Sequence, residues 1–288
     1  MSEKKQIEHR GRSIHAEVRI TATPQQTWEA WADPEKIAQW FVDRATGEPK
    51  VGTTFTWFFD KFQYVMPFEV IEAVPGERFV LRWSDKSSGR PPGIVDVTIA
   101  REGGVTVLRL VNSGFQEGAA WEEEYQGTVS GWQTALALLK LYLENYFGKP
   151  KTTIMALRPA SYRYEQLLPF FTTPEGLGEW LTRSGAVGKP GDRCELVLKD
   201  DGSVTGRVLA VTRHEVALSW EETHGALELK GFQMGPAGRM ICVRVTSWGL
   251  DAARAAEIEQ RMGTALERLA AVLGETAARS AEAGEETR

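Results

Sequence analysis

The residues that could carry chemistry are few and scattered. The 288-residue chain holds four histidines, His9, His15, His214 and His224, and two cysteines, Cys194 and Cys242. No pair among them has the close spacing of a zinc site, so neither a metal nor another cofactor is expected. Two lone cysteines build no disulfide framework and fit a reduced, cytoplasmic compartment. His9 falls in a charged start read as frayed. His15 lies on the polar side of a strand, His214 in a turn, and His224 past a strand beside Glu221 and Glu222. Ser113 and Ser247 have no base next to them in sequence, so no nucleophile–base pair can be named. Asp60, Glu69, Asp96 and Arg109 are the candidates for a polar group inside a cavity. Period-two parity sets Asp96 and Glu69 opposite the main apolar faces, which predicts that both are solvated. Glu122-Glu123-Glu124 reads as an acidic first turn of a helix. Gly103-Gly104 reads as a hairpin turn, and no phosphate-binding GxxxxGK[ST] stretch occurs.

Composition narrows the classes further. A hydrophobic content of 42% with 25% charged residues is that of a globular chain, and the length suggests two domains. A net charge of −5 argues against a nucleic-acid partner, because phosphate contacts need a basic surface. No run approaches the roughly 18 apolar residues of a membrane span, and the first residues lack the apolar core of a signal peptide. Ten tryptophans need either burial or a ligand to stack on.

The elements that would position these residues come twice. Trp31 to Phe41 (WADPEKIAQWF) returns 140 residues later as Phe171 to Leu181 (FTTPEGLGEWL). Around each copy the order is the same. Alternation over Ile14–Ile20 predicts a strand. Thr23-Pro24-Gln25-Gln26 carries a capping box with proline at the first helical position. Asp33-Pro34 starts a second short helix ending near Trp40-Phe41. Strands follow at 54–59, 64–73, 78–84, 94–101 and 105–112, with a loop at 87–93, and a long helix spans 122–147 with Trp132, Leu136, Leu139, Leu143 and Tyr146 as its stripe. In the second half a strand at 152–157 leads to a helix capped by Ser161 and a short one at 174–181. Strands at 194–198, 204–211, 215–220, 227–233 and 240–247 precede a closing helix at 251–274, with Ile258, Met262, Ala265, Leu269 and Val272 as its stripe. Gly52–Trp57 matches Gly191–Leu196, Trp83 matches Trp220, and Val111-Asn112-Ser113 matches Val245-Thr246-Ser247. Proline and acid at 34–35 and 174–175 are helix-start signals, with Trp40 and Trp180 as anchors of the short helices. The expected architecture is α+β: domains at 13–148 and 152–274, each a curved antiparallel sheet gripping a long helix, with 1–12 and 275–288 as disordered tails.

The stretch Thr23 to Phe41, together with Gly131-Trp132-Gln-Thr-Ala-Leu136 through Glu144, resembles domains related to the activator of the heat-shock-protein-ninety ATPase. These belong to the START-like, helix-grip (SRPBCC) superfamily. The first half resembles it along nearly its whole length. The second keeps the Pro-Glu and Trp positions but has Arg261-Met262-Gly263 in place of the Gly-Trp pair. The resemblance implies tandem helix-grip domains, each with an apolar cavity between sheet and long helix. It also implies binding of a hydrophobic small molecule without catalysis; the alternatives are a cyclase, dehydratase or hydrolase, and a co-chaperone of a chaperone ATPase. The aromatic sets that would line the cavities are Trp40, Phe55, Trp57, Phe68, Trp83, Trp121 and Trp132 in the first half, and Trp180, Trp220, Phe232, Trp248 and Met262 in the second. An intramolecular pseudo-dimer is the expected pairing of a duplicated domain.

Overall fold

A computed structural model describes residues 7–83, 92–234 and 238–285, with side chains of the last helix described as far as Thr276. The loop expected at 87–93 lies mostly outside the described residues, as do the extreme ends of both tails. The chain forms two compact units. One comprises the chain through Val129 with Leu139–Gly148; the other comprises Ser130–Leu138 with the chain from Lys149 onward.

The first unit runs β1 (Arg12–Ile20), α1 (Pro24–Ala32), α2 (Pro34–Ile37), β2 (Arg44–Thr46), β3 (Thr54–Phe59), β4 (Tyr64–Val74), β5 (Arg78–Trp83), β6 (Gly93–Glu102), β7 (Val105–Phe115) and α3 (Ala119–Asn145). The second repeats it with β8 (Thr152–Pro159), α4 (Tyr164–Thr172), α5 (Pro174–Trp180), β9 (Thr182–Ser184), β10 (Arg193–Leu198), β11 (Ser203–Val211), β12 (Glu215–Trp220), β13 (Gly225–Gln233), β14 (Arg239–Ser247) and α6 (Ala252–Glu285). Each sheet has seven antiparallel strands, in the order β1-β7-β6-β5-β4-β3-β2 and β8-β14-β13-β12-β11-β10-β9. The α+β class and the tandem helix-grip architecture therefore hold.

The repeated motif does the same work in both units. Thr23 and Gln26 form the expected capping box, and Asp33 and Thr173 accept backbone N–H bonds at the starts of α2 and α5. Trp40 Nε1 donates to Ala30 O at 2.8 Å, and Trp180 Nε1 donates to Phe170 O at 2.8 Å. The tryptophan thus ties the short helix back to the preceding helix, with its one polar atom satisfied by a carbonyl ten residues earlier.

Several expectations are corrected. The α2 helix ends at Ile37, and turns carry the chain on to Phe41. Ser161 does not cap α4; the helix starts at Tyr164, and the Gln166 side chain accepts from Arg163 N. The closing helix continues to Glu285, where a disordered tail was expected. Its buried stripe includes Leu266 and Leu273, while Val272 is partly exposed. The short edge strands β2 and β9 carry too few residues for alternation to reveal them.

Strand register relates the two sheets position by position. In the first, one row runs Val70–Leu81–Val95–Asn112–Ile14. Its counterpart in the second runs Val208–Leu218–Leu227–Val245–Ile154. The next row pairs Phe55, Phe68, Trp83 and Gly93 with Cys194, Gly206, Trp220 and Gly225. The row on the other side pairs Phe79, Val97, Leu110 and Ala16 with Val216, Leu229, Val243 and Ala156. Asn112 therefore stands where Val245 stands, one position away from the match read off the sequence.

Candidate functional site

In the first unit the inner face is the one against which α1 and α2 pack. Trp28 meets Phe79 edge-on at 6.5 Å, and Phe41 meets Trp57 at 5.3 Å. Trp57 and Phe68 lie 4.5 Å apart, centroid to centroid. Long polar side chains tie α3 along β1: Tyr125 Oη donates to Ser13 O, Lys140 Nζ donates to Arg19 O, and Glu144 accepts from Thr21 N. In the second unit α6 lies directly against β8, β14 and α5.

The same register positions differ in accessibility. Ala16 is partly exposed, while Ala156 is 7% exposed. Trp83 is partly exposed, while Trp220 is 1% exposed. Met66, opposite Trp57, is partly exposed, while Val204, opposite Leu196, is fully buried. The inner face of the second unit is a single filled core into which Ile258, Met262, Leu266 and Leu269 of α6 insert. Gly231 lets Tyr162 and Leu167 press onto that sheet, since an added Cβ would come within 2.3 Å of Leu167 Cδ2.

Among the aromatic residues expected to line cavities, Phe55, Trp57 and Phe68 share the inner face with Trp83, and all but Trp83 are buried. Trp121 is partly exposed in the first turn of α3. Trp132 is buried and lies in the 130–138 stretch that groups with the second unit. Trp180, Trp220 and Met262 belong to the filled second core, and Trp248 is buried just past β14. Phe232 falls on the opposite face, on the same side as Glu228 and Lys230, because Leu227, Leu229 and Gly231 occupy the inward register. Leu108, Leu110 and Asn112 share the inward side of β7.

The polar candidates lie elsewhere. Asp60 pairs with Arg44, Glu69 with Arg82, and Arg109 with Glu102 and Glu17, all substantially exposed. Asp96 faces away from the core as parity predicts, but it is buried rather than solvated. Arg78 donates to it from Nε at 3.0 Å and from Nη2 at 2.6 Å, and His9 Nε2 lies 3.2 Å from Oδ2. His9 Nδ1 in turn is 3.0 Å from Ser113 Oγ. So His9 is held against the outer face of the sheet and is not frayed. The Ser–His–Asp chain has the outline of a nucleophilic triad, but Ser113 is 2% exposed and Arg78 already binds both Asp96 oxygens. It fastens the N-terminal segment to the sheet. An open depression of about 860 Å³ borders this region, lined among others by Val51, Ile71, Val74, Glu72 and Arg78. Its charged pair is already engaged, with Arg78 Nη1 3.2 Å from Glu72.

Glu228 occupies the register position of Asp96 in the second sheet, and Arg244 binds it from the neighbouring strand at 2.6 Å through Nε. Burial opposes the Arg244 charge, but Glu228 outweighs it and the pKa is raised. Glu215, paired across the ladder with Lys230, is pushed above the usual carboxylate range, chiefly by burial. The preceding His214 is buried against Tyr164 at 4.1 Å, and its Nδ1 lies 3.4 Å from Ser130 Oγ within the same unit. Burial pushes Cys194 and Cys242 each up to about 11, which leaves both as unreactive thiols near neutrality. Among the described residues no group of His, Cys, Asp and Glu is arranged to hold a metal, and no helix is long and apolar enough to cross a membrane.

Residues 21–144 match the family described as Activator of Hsp90 ATPase homolog 1-like protein. The matched stretch lies in the first half of the chain, and the second half repeats that half's topology. No curated protein matches the chain. Among solved structures it is similar to DynU16, from the dynemicin biosynthetic locus, at 21% identity over 91% of this chain and 98% of that one (TM-score 0.41). It is also similar to the di-domain ARO/CYC BexL of the BE-7585A biosynthetic pathway, at 12% identity over 89% and 97% (TM-score 0.42). The Aha1 dimer from Colwellia psychrerythraea is 18% identical and covers 46% of this chain and 96% of its own (TM-score 0.41).

Proposed function

We propose that the chain binds a hydrophobic small molecule on the inner face of the sheet of its first unit, without catalysing a reaction on it. One observation carries this reading. Identical residues at identical register positions, Trp83 against Trp220 and Ala16 against Ala156, are accessible in the first unit and sealed in the second. Partly accessible aromatic and aliphatic side chains on a concave face are the composition of a small-molecule site. The central rows of that face hold no ionisable side chain, whereas acid–base chemistry requires one within reach of the substrate. The inner face of the second unit is filled by its own side chains. The domain limits 13–148 and 152–274 accompany this proposal.

Titration of the protein with a neutral fluorescent aromatic such as 1-aminoanthracene tests the reading. Saturable binding is expected, weakened by Trp83→Ala and unchanged by Phe232→Ala. Binding that survives Trp83→Ala unaltered would place the ligand elsewhere.

A further inference from the structure

We infer that the open depression beside Arg78, on the outer side of the first sheet, is a docking seat for a helix of a partner protein. The seated turn of that helix carries small residues such as glycine, serine or threonine. The inference goes beyond the small-molecule reading and stands without it.

The second sheet supplies the occupant's chemistry, because the same position is covered there. Phe79 and Val216 share one register position, so Arg78 corresponds to Glu215, and its ladder partner Thr98 corresponds to Lys230. Parity turns all four side chains away from the inner rows. In the second unit a turn of α3 lies over Glu215. A Cβ added at Gly131 would stand 3.9 Å from Glu215 Oε1, and Ser130 Oγ lies 3.4 Å from His214 Nδ1. Residues 130–138 belong to that same unit. Thr212, His214 and Glu215 are sealed there, at 9%, 4% and 6% exposure, and Ser130 and Thr134 of the turn are buried with them.

At the equivalent positions of the first sheet the surface is open. Arg78 and Thr98 line the depression of about 860 Å³, together with Ile71, Val74 and Ala100. Val74 stands where the second sheet has Thr212, and it is 36% exposed. Val51, also in the lining, is 61% exposed. A turn of helix about 10 Å across and about 5.4 Å long fills about 400 Å³, so the depression has room for roughly two turns. Covering its aliphatic side chains removes apolar surface from water, at about 25 cal/mol per Å². Arg78 is already neutralised by Asp96 and Glu72, so an uncharged turn can lie over it without stranding a charge. Small residues bring the helix backbone close, and the apolar side chains on either side of them then reach Val74 and Ile71. Amphipathic helices dock into apolar grooves in this way.

The probe is a stapled helical peptide with the sequence of residues 126–141, whose middle turns cover the second sheet. It is labelled with fluorescein and titrated with the full chain, with anisotropy as the readout. Saturable binding is expected. Val74→Asp alters an exposed position and should leave the circular dichroism of the chain unchanged. It should weaken binding roughly tenfold or more, because the helix would bury an unpaired carboxylate. Gly131→Leu in the peptide should weaken binding by a similar factor. No saturable binding up to about 1 mM, or binding that survives Val74→Asp, would overturn the seat. Equal affinity of the Gly131→Leu peptide would overturn the small-residue turn as the feature recognised. A dimer of the wild-type chain in sedimentation, abolished by Val74→Asp, would assign the seat to a second copy and overturn the separate partner.

Discussion

The two sheets share one register and differ in what lies against them. In the second unit α6 fits directly onto β8 and β14, Tyr162 and Leu167 close over Gly231, and the inner rows are sealed. In the first unit α3 is tied along β1 by Tyr125, Lys140 and Glu144, and Trp83, Met66, Ala16 and Asn112 keep part of their surface accessible. The replacements that distinguish the units are of two kinds. Large aromatics stand on the first sheet where the second has Cys194, Gly206 and Leu196, and a carboxamide stands where the second has valine.

The outer faces teach a second lesson. Asp96 and Glu228 hold the same register position, and each is bound by an arginine, but from opposite neighbouring strands: Arg78 on β5 and Arg244 on β14. A buried acid is kept at this site in both copies, and the copies have found different partners for it.

Removing the arginine that neutralises the fully buried Glu228 is expected to have the largest effect. Arg244→Met should cost about 3–5 kcal/mol in urea unfolding, because it strands Glu228 without a counter-charge. Arg78→Met should cost clearly less, since Asp96 keeps His9 beside it. Equal losses would erase the distinction between the two outer faces.

The inner faces can be separated by truncation. Trp220→Ala should cost about 3–5 kcal/mol by opening a cavity in a sealed core. Trp83→Ala should cost less stability but more ligand affinity. A reversed order in either measurement would break the comparison.

Much of this was legible in advance because it rests on local pattern. Proline and a capping residue at 23–24, 33–34 and 173–174, alternation along the strands, and helical stripes on α3 and α6 fix the tandem topology without reference to long-range contacts. What was not legible depended on register. Asp96 has the parity of a solvated residue and is buried because Arg78 and the N-terminal segment cover it. Phe232 was assigned inward although its neighbours Leu229 and Gly231 take that side. Asn112 was matched to Thr246, and the ladder moves it to Val245. Ser161 looked like a cap because serine is a good one, but α4 begins three residues later.

A smaller effect follows from Glu215, whose folded pKa is raised above its ordinary value of 4.5, chiefly by burial. A raised carboxyl stabilises the fold below its unfolded pKa and loses that contribution as pH climbs through the folded value. Glu215→Gln should therefore be more stable than wild type at pH 8, and the two should converge below pH ~4. A constant difference across that range would show that Lys230 holds the carboxylate ionised. The smallest effect is expected for His9→Ala, about 1 kcal/mol, since it removes two part-buried hydrogen bonds at the edge of the first unit.

The most direct test of the filled and unfilled copies is fluorine NMR of protein labelled with 5-fluorotryptophan. The Trp83 and Trp220 signals are assigned with Trp83→Phe and Trp220→Phe and followed during titration with 2-acetylnaphthalene. A saturable shift of the Trp83 signal with the Trp220 signal unmoved is the predicted result. Movement of Trp220, or of neither, would contradict the account.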